Sequence, residues 1–306
     1  MARRVTVLMG GWSSEREVSL SSGQGCAEAL AAAGYAVSTY DLSRDLPAFL
    51  ATMAAQRPEV VFNALHGRYG EDGCIQGLLD MLAIPYTHSG RLASALAMNK
   101  PMARQIFADA DLPMAEGWVF ERDRFDPADE PERPYVFKPI QDGSSVGVSL
   151  VFEGDDSPLL AADWGFGDRV LVERFIPGRE IQVAVMGDRS LGTIEILTDR
   201  QFYDYEAKYS PGQSRHLVPA PIHPQAHERV MELAWRAHDC LGCRGVSRVD
   251  FRYDDTGGEP GALALLEVNT QPGMTQTSLV PEIAAAAGLS FEELVAWMIE
   301  NAECDA

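Results

Sequence analysis

Two apolar runs near the C-terminus constrain the fold most. Ser247-Arg248-Val-Asp250-Phe and Leu265-Leu-Glu267-Val-Asn269 flank a turn at Thr256-Gly257-Gly258, the pattern of a β-hairpin. Side chains alternate faces along a strand, so Arg248 and Asp250 share one face, and Glu267 and Asn269 share one face of the partner strand. An unpaired carboxylate inside an apolar strand is costly. Polar pairs that interrupt both strands therefore point to a site rather than a solvated face. Two carboxylates and a carboxamide are hard oxygen donors that suit Mg²⁺, which is usually held by one or two carboxylates plus substrate phosphates. Arg248 adds a fixed cation beside them.

The chain has 306 residues, enough for two or three domains of roughly 100–150 residues each. Its 25 Lys+Arg against 45 Asp+Glu give a net charge of -20, which repels nucleic-acid phosphates and an anionic membrane surface. Neither is an expected partner. An anionic substrate has to be met by locally placed Lys, Arg and metal. The apolar run Val5 to Met9 is too short for a signal-peptide core or a membrane span and reads as a buried first strand. Five cysteines in no disulfide-framework spacing suit a reduced cytoplasm. Cys240 and Cys243 form a CxxC at the end of a helix expected over Glu232 to Leu241. No second pair completes a zinc site, so they read as structural thiols.

The first hundred residues alternate strand and helix: Val5–Met9, Ser19–Ala33, Ala36–Tyr40, Val60–Ala64, Gly73–Leu82 and a short strand at Pro85-Tyr-Thr. This is a small α/β unit with a parallel sheet. Gly10-Gly11 and His66-Gly67 follow strands directly, which places both loops at the carboxyl ends of the sheet, where such folds bind ligands. No GxGxxG follows the first strand, so a dinucleotide is not expected. One helical pattern runs from Arg91 through Asn99-Lys100-Pro101 to Ala110. A charged, Pro-rich connection from Glu121 to Arg133 leads into strands at Tyr135, Val148–Phe152, Val170–Glu173, Ile181–Val185 and Gly192–Leu197. The stretch from Thr198 to Pro221 has little periodicity, and loops that long are often lids.

Tyr135-Val-Phe-Lys138-Pro-Ile-Gln-Asp-Gly143-Ser144-Ser145-Val-Gly147 reads as a strand, a Gly/Ser-rich loop and a second strand. Such a loop can turn backbone N–H groups toward a phosphate, and it can equally be a plain hairpin turn. Lys138 beside it tips the reading toward phosphate. Val170-Leu-Val-Glu173 followed by Pro177-Gly-Arg-Glu180 offers two carboxylates for an adenine amino group or ribose hydroxyls, although a surface turn explains that segment alone as well.

Six segments together make a specific pattern: Gly10-Gly-Trp-Ser-Ser-Glu15, Leu65-His66-Gly-Arg-Tyr-Gly-Glu-Asp-Gly73, Gly143-Ser-Ser-Val-Gly147, Tyr203-Asp-Tyr-Glu-Ala-Lys208-Tyr209, Arg248-Val-Asp250, and Glu267-Val-Asn269-Thr-Gln-Pro-Gly273 through Ser278-Leu279-Val-Pro. The chain resembles the D-alanine–D-alanine ligases of the ATP-grasp superfamily. The resemblance implies an N-terminal parallel α/β domain (1–95) followed by a two-part α+β ATP-grasp fold: a central subdomain (96–178) and a C-terminal subdomain (179–306) carrying a lid loop and the metal site. It implies ATP, and two Mg²⁺ (or Mn²⁺) ions held by Asp250, Glu267 and Asn269. Lys100, Lys138, Ser145 and Lys208 would meet nucleotide phosphates, while Glu173 and Glu180 would hold the adenosine. Glu15 would take the ammonium of the first D-alanine, with His66 alongside. Ser278 and Leu279 would receive the second D-alanine. Asp72 reads as a helix cap rather than a catalyst. A homodimer is the implied assembly.

The implied chemistry is activation of a carboxylate as an acyl phosphate, then attack by a second D-alanine amine for peptidoglycan precursor synthesis. Arg248 and the Gly273 N–H are the candidate oxyanion donors. Tyr209 would close a hydrogen-bonded set with Glu15 and Ser144, and no general base is assigned. Gln271, Asn99 and Arg174 depart from the usual pattern, where Ser, Asp and Lys are frequent. Two other readings compete: a ligase taking D-lactate as second substrate, against which the intact Tyr-Glu-Ala-Lys-Tyr loop argues, and a nucleotide-binding regulator without turnover, which predicts lost metal ligands.

Overall fold

The computed structural model describes residues 2–141, 147–198, 214–275 and 277–305. Strand β1 (Arg4–Gly10) pairs in parallel with β2 (Ala36–Leu42) and with β3 (Val60–Asn63), in the order β2-β1-β3. Parallel neighbours require crossovers, and the helices α1 (Arg16–Ala32) and α2 (Leu46–Gln56) lie within them. Helix α3 (Cys74–Met81) follows the His66 loop. Pro85-Tyr-Thr makes only isolated bridges, Tyr86 with Val61 and with Glu303, instead of the expected strand. Left-handed backbone at Ala83 (φ 53°) and His88 (φ 69°) turns the chain away on both sides.

Two antiparallel sheets form the rest. The four-stranded one has the order β4-β7-β5-β6, with β4 Gly117–Glu121, β5 Tyr135–Pro139, β6 Ser149–Val151 and β7 Arg169–Arg174. The five-stranded one runs β10-β9-β8-β11-β12, with β8 Arg179–Met186, β9 Arg189–Thr198, β10 Ser214–Leu217, β11 Val246–Asp254 and β12 Ala262–Asn269. β7 and β8 belong to different sheets and are joined through Pro177-Gly178, so Glu173 and Glu180 stand on opposite sides of that junction.

Residues 91–110 form two helices, α4 (Arg91–Met98) and α5 (Lys100–Asp109), where the sequence pattern suggested one. Pro101 has no N–H to continue the first helix. Asn99 is extended (φ -92°, ψ 90°), and its side chain accepts from the Met102 N–H at 3.3 Å as the new N-cap. The break sets Lys100 at the first position of α5. Helix α6 (Pro224–Cys240) starts eight residues before the expected Glu232, because His223 caps it and Pro224 occupies the first position, where its missing N–H is harmless. Two C-terminal helices, α7 (Leu279–Ala286) and α8 (Phe291–Glu300), close the fold, and Ser290 with Glu293 forms a capping box on α8.

One core runs through both ends of the chain. Val5, Val7 and Phe62 of the parallel sheet pack in one cluster with Ala184 and Met186 of β8 and with Val295 and Met298 of α8. The N-terminal loops are thereby fixed against the C-terminal sheet. A second cluster packs α6 and α5 on the other side of that sheet, through Val183, Val249 and Phe251. The described residues contain no helix long and apolar enough to cross a membrane.

Candidate active site at the junction of the sheets

Strands β11 and β12 pair Arg248 with Asn269 and Asp250 with Glu267 before a bulge between Asp250 and Phe251. Directly opposed residues point to the same face, so all four side chains share one side of the hairpin, as the sequence spacing required. Arg248 holds Asp250 bidentately, Nε to Oδ1 at 2.7 Å and Nη2 to Oδ2 at 2.8 Å. Asp250 is only 4 % exposed. Lys100 reaches from the start of α5 to Glu267, Nζ to Oε2 at 3.6 Å. Its backbone N–H also donates to the Ile140 carbonyl at 3.1 Å, which ties α5 to the end of β5. The Asn269 carboxamide oxygen accepts from the Gln271 N–H at 2.8 Å.

Beneath these, Lys138 and Arg104 both contact the carboxylate of Glu173, which is 2 % exposed. Two cations on one buried carboxylate meet its charge in full. Glu173, which the resemblance assigns to the adenosine, contacts Arg104 and Lys138 through its carboxylate here. Arg104 was not singled out, although it stands one helical turn after Lys100 and on the same face of α5. Glu180 lies across the junction in β8, where its Oε1 accepts from Gln182 Nε2 at 3.3 Å.

The N-terminal loops come in from the other side. Gly10 (φ +83°) lies against Asp41, and an added Cβ there would overlap the Asp41 carboxylate. Arg16 clamps this turn by donating to the Gly11 carbonyl at 2.9 Å and bidentately to Asp41. Ser13 Oγ accepts from the Glu15 N–H at 3.2 Å and donates to the His66 carbonyl at 2.7 Å. Glu15 and His66 are thus held together, both 7 % exposed. Burial pushes His66 down to about 4, with Arg248 adding to the effect and the Gln271 backbone opposing it. The imidazole is neutral at pH 7. Among the described residues its Nε2 has no hydrogen-bond partner. Asp72 accepts from the N–H groups of Tyr69 (2.9 Å) and Cys74 (3.1 Å), so it bonds the first residue of α3 from one position before the N-cap, which is Gly73 instead of the expected Asp72.

Sequence reasoning passed over Glu71. It lies inside the Gly70-Glu71-Asp72-Gly73 motif, is buried, and has its carboxyl held well above the usual range first by burial, then by Glu15, with Glu267 adding to both. Arg248 and a Gly67 backbone hydrogen bond pull the other way. Glu71 therefore sits electrostatically between the Glu15 turn and the hairpin. The signal for it in the sequence was an acid in a motif otherwise made of turn residues.

Two cavities open on this junction. One, of ≈ 930 Å³, is lined by Ser14, Glu15, Gly67 and Asp72 on one wall and by Ile140 and Gln141 on the other. The second, of ≈ 450 Å³, is lined by Gln182, Arg248, Gly273, Ser278 and Leu279. Ser278 Oγ accepts from the Thr275 N–H at 3.0 Å and contacts Thr275 Oγ1 at 2.7 Å, which shapes the turn between Gly273 and α7. The structure thus places Glu15 on the wall of one cavity, with His66 held to its turn through Ser13, and Arg248, Gly273, Ser278 and Leu279 on the wall of the other, while Lys100, Lys138, Glu173, Glu180, Asp250, Glu267 and Asn269 lie around the sheet junction. Ser144, Ser145, Lys208 and Tyr209, with most of the expected lid, lie outside the described residues. Leu217 and its neighbours belong to β10 instead of that loop.

This architecture, a parallel α/β domain followed by two antiparallel sheets, is the ATP-grasp fold. Two crystal structures of D-alanine–D-alanine ligase from Bacillus anthracis superpose on 98% of this chain and 97% of theirs, each with a TM-score of 0.84. One, at 29% identity, is complexed with ATP, and the other is 31% identical. The profile described as D-ala D-ala ligase C-terminus matches residues 106–300, and that for the N-terminus matches residues 43–89. D-alanine–D-alanine ligases of Rhodospirillum rubrum and Paramagnetospirillum magneticum are 57% and 58% identical, and each alignment covers 100% of both chains. The chain belongs to the D-alanine–D-alanine ligase family.

Proposed function

We propose that this protein joins two D-alanine molecules at the expense of ATP, releasing ADP and phosphate and supplying D-alanyl-D-alanine for peptidoglycan precursors. The observation that carries the reading is the hairpin register, which sets Asp250, Glu267 and Asn269 on one face with Lys100 and Arg248 directly beside them. Three oxygen donors with only two negative charges fit a hard divalent ion whose remaining ligands are phosphate oxygens. Asp250, Glu267 and Asn269 would hold Mg²⁺ (or Mn²⁺), two ions in the family pattern. Held by these residues, such an ion would supply positive charge against the transferring phosphate.

The chain's own groups account for the remaining work. Glu15 takes the ammonium of the first D-alanine, and the neutral His66 lies alongside it without adding a charge. Lys100 and Lys138 meet the phosphates, and Glu173 with Arg104 holds Lys138 in place. The first carboxylate attacks the γ-phosphorus as the bond to the ADP oxygen breaks, giving an acyl phosphate. The amine of the second D-alanine, received at Ser278 and Leu279, then attacks the acyl carbon. The bond from the acyl carbon to the phosphate oxygen breaks, and the proton given up by the amine passes to the departing phosphate. Arg248 and the Gly273 N–H face the oxyanion formed on the way. The free thiols of all five cysteines suit the reducing cytoplasm in which this chemistry supplies the cell wall, and a homodimer is the expected assembly.

Incubation with ATP, Mg²⁺ and D-alanine should give ADP, phosphate and dipeptide in equal amounts, with L-alanine inert. Formation of AMP, or equal turnover of L-alanine, overturns the reading.

A further inference from the structure

Gln271 departs from the family pattern, in which Ser is frequent, and the structure gives the longer side chain a place. It is 1 % exposed, and its Oε1 accepts from Asn63 Nδ2 at 2.8 Å. Its Nε2 donates to the Leu65 carbonyl. Asn63 stands at the end of β3 and is fully buried. Its amide donates a second time to the Gly70 carbonyl at 3.0 Å, and its Oδ1 accepts from the Leu65 N–H at 3.2 Å. Gln76 Nε2 donates to the same Gly70 carbonyl at 2.9 Å. These bonds fix both ends of the segment Leu65 to Gly70, which carries His66 and leads into Glu71. On its other side, the Gln271 N–H fixes the Asn269 carboxamide oxygen at 2.8 Å.

We propose that Gln271 is a positioning residue that couples the first-substrate loop, Leu65 to Glu71, to the metal ligand Asn269. The inference rests on the assignment of Asn269 to the metal and of Glu15 and His66 to the first D-alanine. Groups hydrogen-bonded to a ligand set its orientation, and their loss weakens metal binding. The Gln271 backbone can orient Asn269 only while its own side chain is anchored, and both anchors belong to the N-terminal unit. Both are buried, so releasing them leaves one Asn63 amide hydrogen and the Leu65 carbonyl unpaired. Coupling of this kind is reciprocal, so a first substrate that orders the loop tightens the metal, and the metal tightens the first substrate. A serine at position 271 is too short to span the same gap.

The test compares wild type with Gln271→Met, which keeps the shape and removes both hydrogen bonds, and with Asn63→Leu, whose site meets the hairpin segment through Gln271. Mn²⁺ affinity is read by electron paramagnetic resonance in the presence of a non-hydrolysable ATP analogue, and KM is measured for each D-alanine. Both variants should weaken Mn²⁺ by roughly tenfold and raise the first-site KM by a like factor, leaving the second-site KM in place. The double variant should be no weaker than the worse single one, because both break one linkage. If either chain melts below the assay temperature, Gln271→Glu, which keeps the acceptor for Asn63 and loses the donor to Leu65, should show the same split at smaller size. Asn269→Ala is measured alongside. Normal Mn²⁺ affinity in Asn269→Ala overturns the metal assignment. Loss there with normal affinity in Asn63→Leu, or additive losses in the double variant, overturns the coupling alone.

Discussion

Arg248 and Asp250, two residues apart on β11, form a closed bidentate pair with both contacts under 3 Å. A guanidinium fork matches a carboxylate in a way that an ammonium does not. Here Arg248 neutralises the buried acid, and in the proposed reaction it would face developing negative charge. Arg248→Lys keeps the charge and loses the fork, so kcat should fall by about 10²-fold or more with little change in melting temperature. A kcat within twofold of wild type by steady-state assay would remove Arg248 from the oxyanion role.

Arg104 and Lys138 share Glu173. Removing Arg104 leaves one buried carboxylate to a single cation, which draws Lys138 toward Glu173 and away from phosphate. Arg104→Met should raise the ATP KM by about tenfold, equivalent to about 1.4 kcal/mol of binding, with a smaller effect on either D-alanine KM. Equal changes in all three constants would mean that Arg104 matters only for folding.

Three histidines report on acid stability. Burial lowers His66 and His238 to about 4 and His88 to about 3, from an ordinary 6.5. Their folded values lie below their unfolded ones, so the unfolded chain binds more protons as the pH drops. Stability is complete above pH 6.5 and is lost progressively toward pH 3. For the buried His66 the loss is on the order of 3 kcal/mol by pH 4. Chemical denaturation at pH 7 and pH 5 should show His66→Asn less pH-sensitive than wild type, and parallel curves would show that His66 is not buried in solution.

Glu71 has the opposite sign. Its carboxyl is held above the ordinary range by burial and by Glu15, so the folded chain binds the extra proton. That contribution is complete below the unfolded carboxyl value near 4.5 and declines as pH rises through the folded value. Glu71→Gln, neutral at every pH, should therefore gain stability relative to wild type as the pH rises above 4.5. A melting difference that stays constant across this range would place the Glu71 charge in solvent.

Much of this site was legible because strand periodicity and strong motifs agree. Arg248, Asp250, Glu267 and Asn269 follow from alternation along two strands, and the register delivers them as paired neighbours. The Glu15 turn and the His66 loop follow from their places after β1 and β3. Elements set by single punctuating residues were harder to read. The helix pattern across Asn99 looked continuous because apolar spacing survives the break, and only the missing N–H of Pro101 with the Asn99 cap reveals it. Helix α6 begins early on a His-Pro cap, a weaker signal than Ser or Asp. Arg104 and Glu71 stayed hidden, and Gln271 showed only as a departure from the family pattern, because their partners, Glu173, Glu15 and Asn63, are distant in sequence and meet them only after the sheets and loops assemble.

The hairpin as metal site is the central claim, and Glu267→Gln tests it most directly. The substitution preserves shape and removes one charge from a carboxylate that faces Lys100 and that, in the proposed complex, would hold metal against the phosphates. Metal stabilisation of the transferring group amounts to several kcal/mol, so kcat at saturating Mg²⁺, ATP and D-alanine should fall by about a thousandfold, with the melting temperature retained. Near-normal kcat under those conditions would contradict the account.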